Sequence, residues 1–185
     1  KAEQTRPEIT QVLFRYNNGL INYGSHFIDF LISWYGKVDF VQAINADSLS
    51  KFDKSISFFC RLKKNIDVMA QIIVGVEYDQ FEIELYFKNF KVSMINGGKE
   101  KFEYRGKKSL YYQGYTHLEK GKKLGKQDFV GDLNELYKIL TNYFLKKKSL
   151  EICNLEDAFY NMKILEAINK SYLKKKNENP DMKNV

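Results

Sequence analysis

Two histidines are the first residues to weigh, because imidazole is the side chain best suited to proton transfer near neutral pH and these 185 residues hold only two. His26 lies in Gly19-Leu20-Ile21-Asn22-Tyr23-Gly24-Ser25-His26-Phe27-Ile28-Asp29, where a glycine-containing loop runs into an amphipathic helix. Asn22 and His26 stand four residues apart, so they share one face once that stretch is helical. A carboxamide and an imidazole placed there can orient a substrate hydroxyl and take its proton. The alternative is a packed or capping histidine at a helix start. Tyr23, between them, joins Asn22 and His26 as a substrate-binding candidate. His117, in Tyr115-Thr116-His117-Leu118-Glu119, has no chemical neighbour in sequence and reads as a surface or sheet-edge residue.

No other pattern carries comparable chemistry. The sequence has no G-x-G-x-x-G, no P-loop and no nucleophile-elbow serine, and its Cys and His residues lack metal-ligand spacing. Asp132, Glu135, Glu156 and Asp157 fall in first helical turns, where the helix dipole favours carboxylates, so paired-carboxylate catalysis is not expected. Gly97-Gly98, Gly121 and Gly125 read as turn glycines.

The elements that must position His26 follow from periodicity. Ile9–Tyr16 reads as a strand ending at the turn signal Asn17-Asn18-Gly19. Phe27, Phe30, Leu31, Trp34 and Tyr35 recur along one helix face, with Gly36 as cap. Strands are expected at Val38–Ala46, Ile56–Leu62 and Val68–Glu77. Phe81, Ile83, Leu85 and Phe87 then alternate with Glu82, Glu84, Tyr86 and Lys88, which buries one sheet face. A turn at Asn89-Phe90, a strand at Lys91–Ile95, a hairpin at Asn96-Gly97-Gly98, and strands at Lys101–Arg105 and Leu110–Leu118 follow. Two helices close the chain. One has the stripe Phe129, Leu133, Leu136, Tyr137, Leu140 and Phe144. The other has Leu155, Ala158, Phe159, Met162, Leu165 and Ile168, with Asn154 as N-cap and Asp157 at the third helical position.

Strands joined by short turns imply an α+β domain: an open, largely antiparallel sheet with helices packed on one face. It is expected to occupy residues 1–176 as a single unit, followed by a polar, frayed tail at 177–185. The second sheet face, carrying Tyr86, Tyr104, Tyr112 and Met94, is expected to meet another subunit or domain rather than bare solvent.

Composition removes several classes. With 14 Phe and 13 Tyr against 2 Pro the chain is not disordered, and no apolar run reaches the ~20 residues of a membrane span. The net charge of +7 comes from 30 basic residues, nearly all Lys, whereas phosphate recognition favours the arginine fork. Clusters such as Lys146–Lys148 and Lys174–Lys176 fall at helix ends, so no nucleic-acid partner is expected. Cys60 and Cys153 suit a reducing, cytoplasmic setting. Residue 1 is Lys, from which a start partway through a longer gene product is expected.

The stretch Gly19–Gly36 resembles the signature that opens the C-terminal domain of the glucose–fructose oxidoreductase/inositol dehydrogenase (Gfo/Idh/MocA) family, through Gly19, Leu20, Gly24, His26, Asp29 and Gly36. Tyr111, Tyr112, Gly114 and Tyr115, and the closing Asp157, Ala158, Leu165, Glu166, Ala167 and Ile168, are similar in order. The resemblance implies a glyceraldehyde-3-phosphate dehydrogenase-like C-terminal domain that binds substrate and forms homo-oligomers through its open sheet. It implies a separate N-terminal Rossmann domain, not present in this sequence, that binds NAD or NADP. The implied substrate is a sugar, polyol or sugar derivative oxidised at a hydroxyl carbon. His26 takes the position of the family histidine in proton transfer, and Asn22 falls where many members have Asp. Asn cannot accept a proton as Asp can, though it can orient a hydroxyl. Asp29 is placed to hold the helix or the histidine. This chain alone is expected to be inactive. The rival reading is a non-catalytic binding or dimerisation module of the same fold.

Overall fold

The computed structural model describes residues 8–47, 52–124, 133–146, 153–178 and 180. Strand β1 (Ile9–Tyr16) leads through a six-residue π-helical turn (Gly19–Gly24) directly into α1 (Ser25–Tyr35). Strands β2 (Val38–Ala46), β3 (Ile56–Leu62), β4 (Ile66–Ile72), β5 (Phe81–Phe87), β6 (Phe90–Ile95), β7 (Glu100–Lys108) and β8 (Thr116–Leu124) follow, then α2 (Leu133–Lys146) and α3 (Leu155–Lys174). All eight strands form one sheet in the order β2-β3-β4-β1-β5-β6-β7-β8. The β1–β4 pair is parallel and the other neighbours are antiparallel. The fold is α+β, an open and largely antiparallel sheet with helices on one face.

The core lies between that face and the helices. Val12, Phe14 and Tyr16 of the central strand are fully buried beside Val68 and Ala70 of β4 and Ile83 of β5. Phe14 stacks on Phe27 of α1 with ring centroids 4.0 Å apart, and Phe81 meets Phe14 edge-on at 4.9 Å. Two polar side chains fasten α3 to the edge strand β2. The Tyr160 hydroxyl accepts from the Val38 N–H at 2.9 Å, and Ser171 Oγ accepts from the Ala43 N–H at 2.9 Å. Each satisfies a backbone donor that burial would otherwise leave costly.

The expected strands and helices are present with some shifts. Asn154 caps α3 by accepting from the Asp157 N–H at 2.8 Å. On α3 the buried face runs through Tyr160, Asn161, Ile164, Leu165, Ala167, Ile168 and Ser171, so Leu155, Ala158, Phe159 and Met162 of the expected stripe are exposed. Trp34, expected on the buried face of α1, is about half exposed. The segment Leu110–Tyr115 is a compact loop, tied by bonds from the Tyr111 and Tyr112 N–H groups to Ser109 Oγ, and β8 begins only at Thr116. Gly121 therefore lies inside a strand, where its hydrogen side passes close to the Glu103 carbonyl, rather than in a turn. Phe129, Asp132 and Gly125 lie outside the described residues. Among those described, the end of the chain does not hang free at its start: Glu178 exchanges two backbone hydrogen bonds with Val41.

The open face holds a row of half-buried groups. Glu84 accepts from Lys91 Nζ at 2.9 Å and from the Tyr86 hydroxyl, with Arg15 at 3.9 Å. Burial alone would raise the Glu84 carboxyl, but the bonds from Tyr86 and Lys91 and the charges of Lys91 and Arg15 outweigh it and hold its pKa below the usual value. Burial, then the Glu84 carboxylate, pushes Tyr86 up to about 12. The Lys91 ammonium also lies 4.8 Å above the Tyr104 ring. Tyr86 and Tyr104 are thus on this face as expected. Met94 is not: it pairs with Ile83 and is buried on the helix side, and Tyr112 belongs to the loop before β8. Among the described residues no helix is long and apolar enough to cross a membrane.

Candidate functional site

The start of the helical run is built by residues far apart in sequence. Asn18 sits in the left-handed region at φ 60°, ψ 30°, and Gly19 follows at φ 92°. These two residues reverse the chain out of β1. The Asn17 carboxamide donates to the Tyr78 carbonyl at 2.7 Å and accepts from the Gln80 N–H at 2.9 Å, while Asn18 donates to Asp79. The Asn-Asn-Gly turn is therefore gripped by the β4–β5 loop. Beyond it the chain enters the π turn, which inserts an extra residue per turn and often marks a working site.

Asn22 and Tyr23 lie in that turn and His26 in the first turn of α1. Asn22 and His26 are exposed, and neither side chain makes a hydrogen bond or ion pair among the described residues. Four residues along this continuous helical run bring them to the same side, as expected. Tyr23 is half-buried with its ring edge-on to Phe81 at 5.4 Å, so its body is packed while its hydroxyl makes no hydrogen bond among the described residues. Asn22 borders a cleft of about 480 Å³ whose other walls include Asn17, Asn18, Asp47, Asp53 and Ser55. That wall combines carboxamides, carboxylates and a hydroxyl, groups that both donate and accept hydrogen bonds. His26 is not part of that wall; it stands one turn further along. Asp53 and Ser55 line this cleft and were not read from the sequence, since no local pattern ties them to Gly19–Asn22.

Asp29 turns to the start of α3. There the Cys153 thiol is pushed up to about 11 by partial desolvation, then by the charge of Asp29 and a hydrogen bond to it, and then by Asp157. The folded thiol keeps its proton between about pH 9 and 11, where the unfolded thiol loses it, so its contribution to stability falls as pH rises through that window. Iodoacetamide is expected to modify Cys153 at pH 8 roughly two orders of magnitude more slowly than an ordinary exposed thiol, although the residue is exposed. Asp29→Asn is expected to speed the reaction, which mass spectrometry of the timed adduct checks. His117 is exposed on β8 opposite Lys107.

A dinucleotide phosphate does not fit this helix start. The N–H groups of Ile21 and Asn22 already point at the Asp53 carboxylate, at 2.8 and 2.9 Å, and a second anion would meet that charge. Among the described residues no group of three or more His, Cys, Asp or Glu could hold a metal ion.

No family model and no curated relative matches the sequence. Solved structures do match. A protein from Desulfitobacterium hafniense assigned as an NADPH-dependent oxidoreductase is similar over 94% of this chain, at 13% identity and a TM-score of 0.72. The super-repressor mutant of Gal80p from Saccharomyces cerevisiae is similar over 94%, at 14% identity and a TM-score of 0.68. Levoglucosan dehydrogenase, solved with NADH and levoglucosan, is similar over 95%, at 11% identity and a TM-score of 0.68. The chain spans 57%, 58% and 60% of those three proteins. At such identities the likeness is one of fold, the fold that those neighbours, members of the Gfo/Idh/MocA family, carry in their C-terminal domains.

Proposed function

We propose that the chain is the substrate-binding and oligomerisation domain of an NAD(P)-dependent oxidoreductase that acts on a hydroxyl carbon of a sugar, polyol or sugar derivative. The observation that carries this reading is the pair Asn22 and His26. Both are exposed and, among the described residues, unengaged on one side of a rigidly held helix start, beside a cleft walled with polar groups. In this arrangement the Asn22 carboxamide orients the ligand hydroxyl and the His26 imidazole takes its proton as the carbon is oxidised. Tyr23 presents its hydroxyl from a ring anchored on Phe81. The nicotinamide cofactor belongs outside these residues, in the N-terminal Rossmann domain of a longer protein, and residues 1–176 alone turn nothing over. The setting is cytoplasmic.

The levoglucosan dehydrogenase likeness supports the sugar class, because that protein was solved with levoglucosan and NADH. Levoglucosan titrated into the labelled chain is expected to shift the Asn22 carboxamide and His26 ring resonances at millimolar concentration while leaving β8 unchanged. Shifts spread over the surface, or none, would count against the site.

The open face supports self-association. Leu13, Phe59, Met69, Tyr86 and Phe102 lie half-buried there, around the Arg15–Glu84–Lys91 group, on the side away from α1 and α3. Sedimentation velocity at micromolar concentration is expected to show a dimer or larger, and a monomer at all concentrations would remove this part. The rival reading, a non-catalytic module, draws on the Gal80p likeness and on Asn22 standing where many members of the family have Asp. A longer protein with no affinity for a nicotinamide cofactor would favour it.

A further inference from the structure

We propose that Asp53, in the β2–β3 connection, is the positioning residue that sets the helix start presenting Asn22 and His26; this rests on the reading of that start as the substrate side of the domain. The first N–H groups of a helix have no partner within it and must find one elsewhere. Here four consecutive donors are met by three residues of one remote segment. The Gly19 N–H donates to Ser55 Oγ at 2.9 Å and the Leu20 N–H to the Lys54 carbonyl at 3.0 Å. The Ile21 and Asn22 N–H groups each donate to one oxygen of the Asp53 carboxylate. Asn18, in the position of the N-cap, makes no side-chain capping bond, so the local residue that would ordinarily do this work does not.

Gly19 shows that the arrangement is built around the carboxylate. A Cβ at Gly19 would lie 2.0 Å from Asp53 Oδ2, well inside contact distance, and its φ of 92° is one that side chains resist. The carboxylate occupies the space that glycine leaves. Its two bonds act directly on the backbone of Ile21 and Asn22, and through the continuous helix on His26 four residues beyond Asn22. Charge-assisted bonds of this kind are stronger than neutral ones, and a negative group at a helix start is favoured by the dipole.

The test uses the chain itself, labelled for NMR. In Asp53→Ala, hydrogen exchange at Ile21 and Asn22 is expected to accelerate on the order of 10- to 100-fold, while amides of β1 and β4 keep their protection. The His26 ring resonances are expected to move although residue 53 is remote in sequence. Asp53→Asn keeps one acceptor and turns the other oxygen into a donor, so one of the two amides should stay protected. Gly19→Ala should reproduce Asp53→Ala by displacing the carboxylate. Unchanged exchange at Ile21 and Asn22 overturns the proposal, and so does faster exchange with the His26 ring unmoved, which would mark a cap of structural value only. The levoglucosan titration of the wild-type chain judges the sugar site separately, and its failure leaves the amide and ring readouts of Asp53 intact.

Discussion

On the proposed function, replacing His26 by Ala in a longer protein that carries this domain is expected to lower its turnover by about 10²- to 10⁴-fold, the range a positioned general base contributes. The fold should survive the change. His26 is exposed and makes no hydrogen bond or ion pair among the described residues, and Ala is the best helix former, so stability should stay within ~0.5 kcal/mol. A loss of rate without loss of structure separates a chemical role from a packing role. His117→Ala is the matched control, since that residue is exposed at the far edge of the sheet, and its turnover should equal that of the wild type. Asn22→Ala should weaken substrate binding and turnover less severely, because a carboxamide can orient a hydroxyl but cannot take its proton. Steady-state kinetics on the three variants checks all of this. Near wild-type turnover in His26→Ala would remove the histidine from the mechanism.

Phe14→Ala is expected to cost about 3–5 kcal/mol, the usual range for deleting a fully buried aromatic ring. Phe14 lies on the central strand, is completely buried, and touches three other rings: Phe27 and Tyr16 stacked at 4.0 and 4.7 Å, and Phe81 edge-on. Against a typical stability of ~5–15 kcal/mol this change leaves the domain marginal. The site should feel it before the fold does. Phe27 follows His26 directly, and Phe81 anchors Tyr23, so the cavity opens beneath the helix start. Urea unfolding should show the midpoint fall with little change in slope, and Phe14→Leu should recover more than half of the loss. A loss below ~1 kcal/mol in Phe14→Ala would mean the ring cluster does not hold the core together.

Much of the secondary structure was legible from short-range pattern. The alternation across Phe81–Phe87 identified the buried face of β5, because side chains on a strand point to opposite sides at every step. Asn17-Asn18-Gly19 identified a reversal because those residues tolerate positive φ, and both Asn18 and Gly19 adopt it. Asn154 capped α3 where a short polar side chain ahead of Asp157 suggested it should. Each of these is decided within a few residues. The pattern failed where polar side chains did the packing. Tyr160 and Ser171 are buried because β2 supplies backbone donors for them, so the face of α3 that meets the sheet is not its most apolar one.

Met94 shows a different limit. Phe90 already belongs to β6, and the pairing of Met94 with Ile83 places it on the helix side. Face assignment across a turn depends on register, and a shift of one residue exchanges the two faces.

What the sequence determined by itself, then, was the kind of fold and where the candidate pair Asn22 and His26 falls within it. Periodicity and turn residues imposed a helix after the first strand and a run of antiparallel strands, and spacing put Asn22 and His26 on one side of that helix. Only the tertiary structure decided what holds the helix in place. Strand β1 lies between β4 and β5, parallel to one and antiparallel to the other, and the β2–β3 connection reaches back to the helix start. Asp53 is more than 30 residues from the amides it receives. No local signal joins them, because a capping bond between distant segments forms only after strand pairing and burial have brought them together.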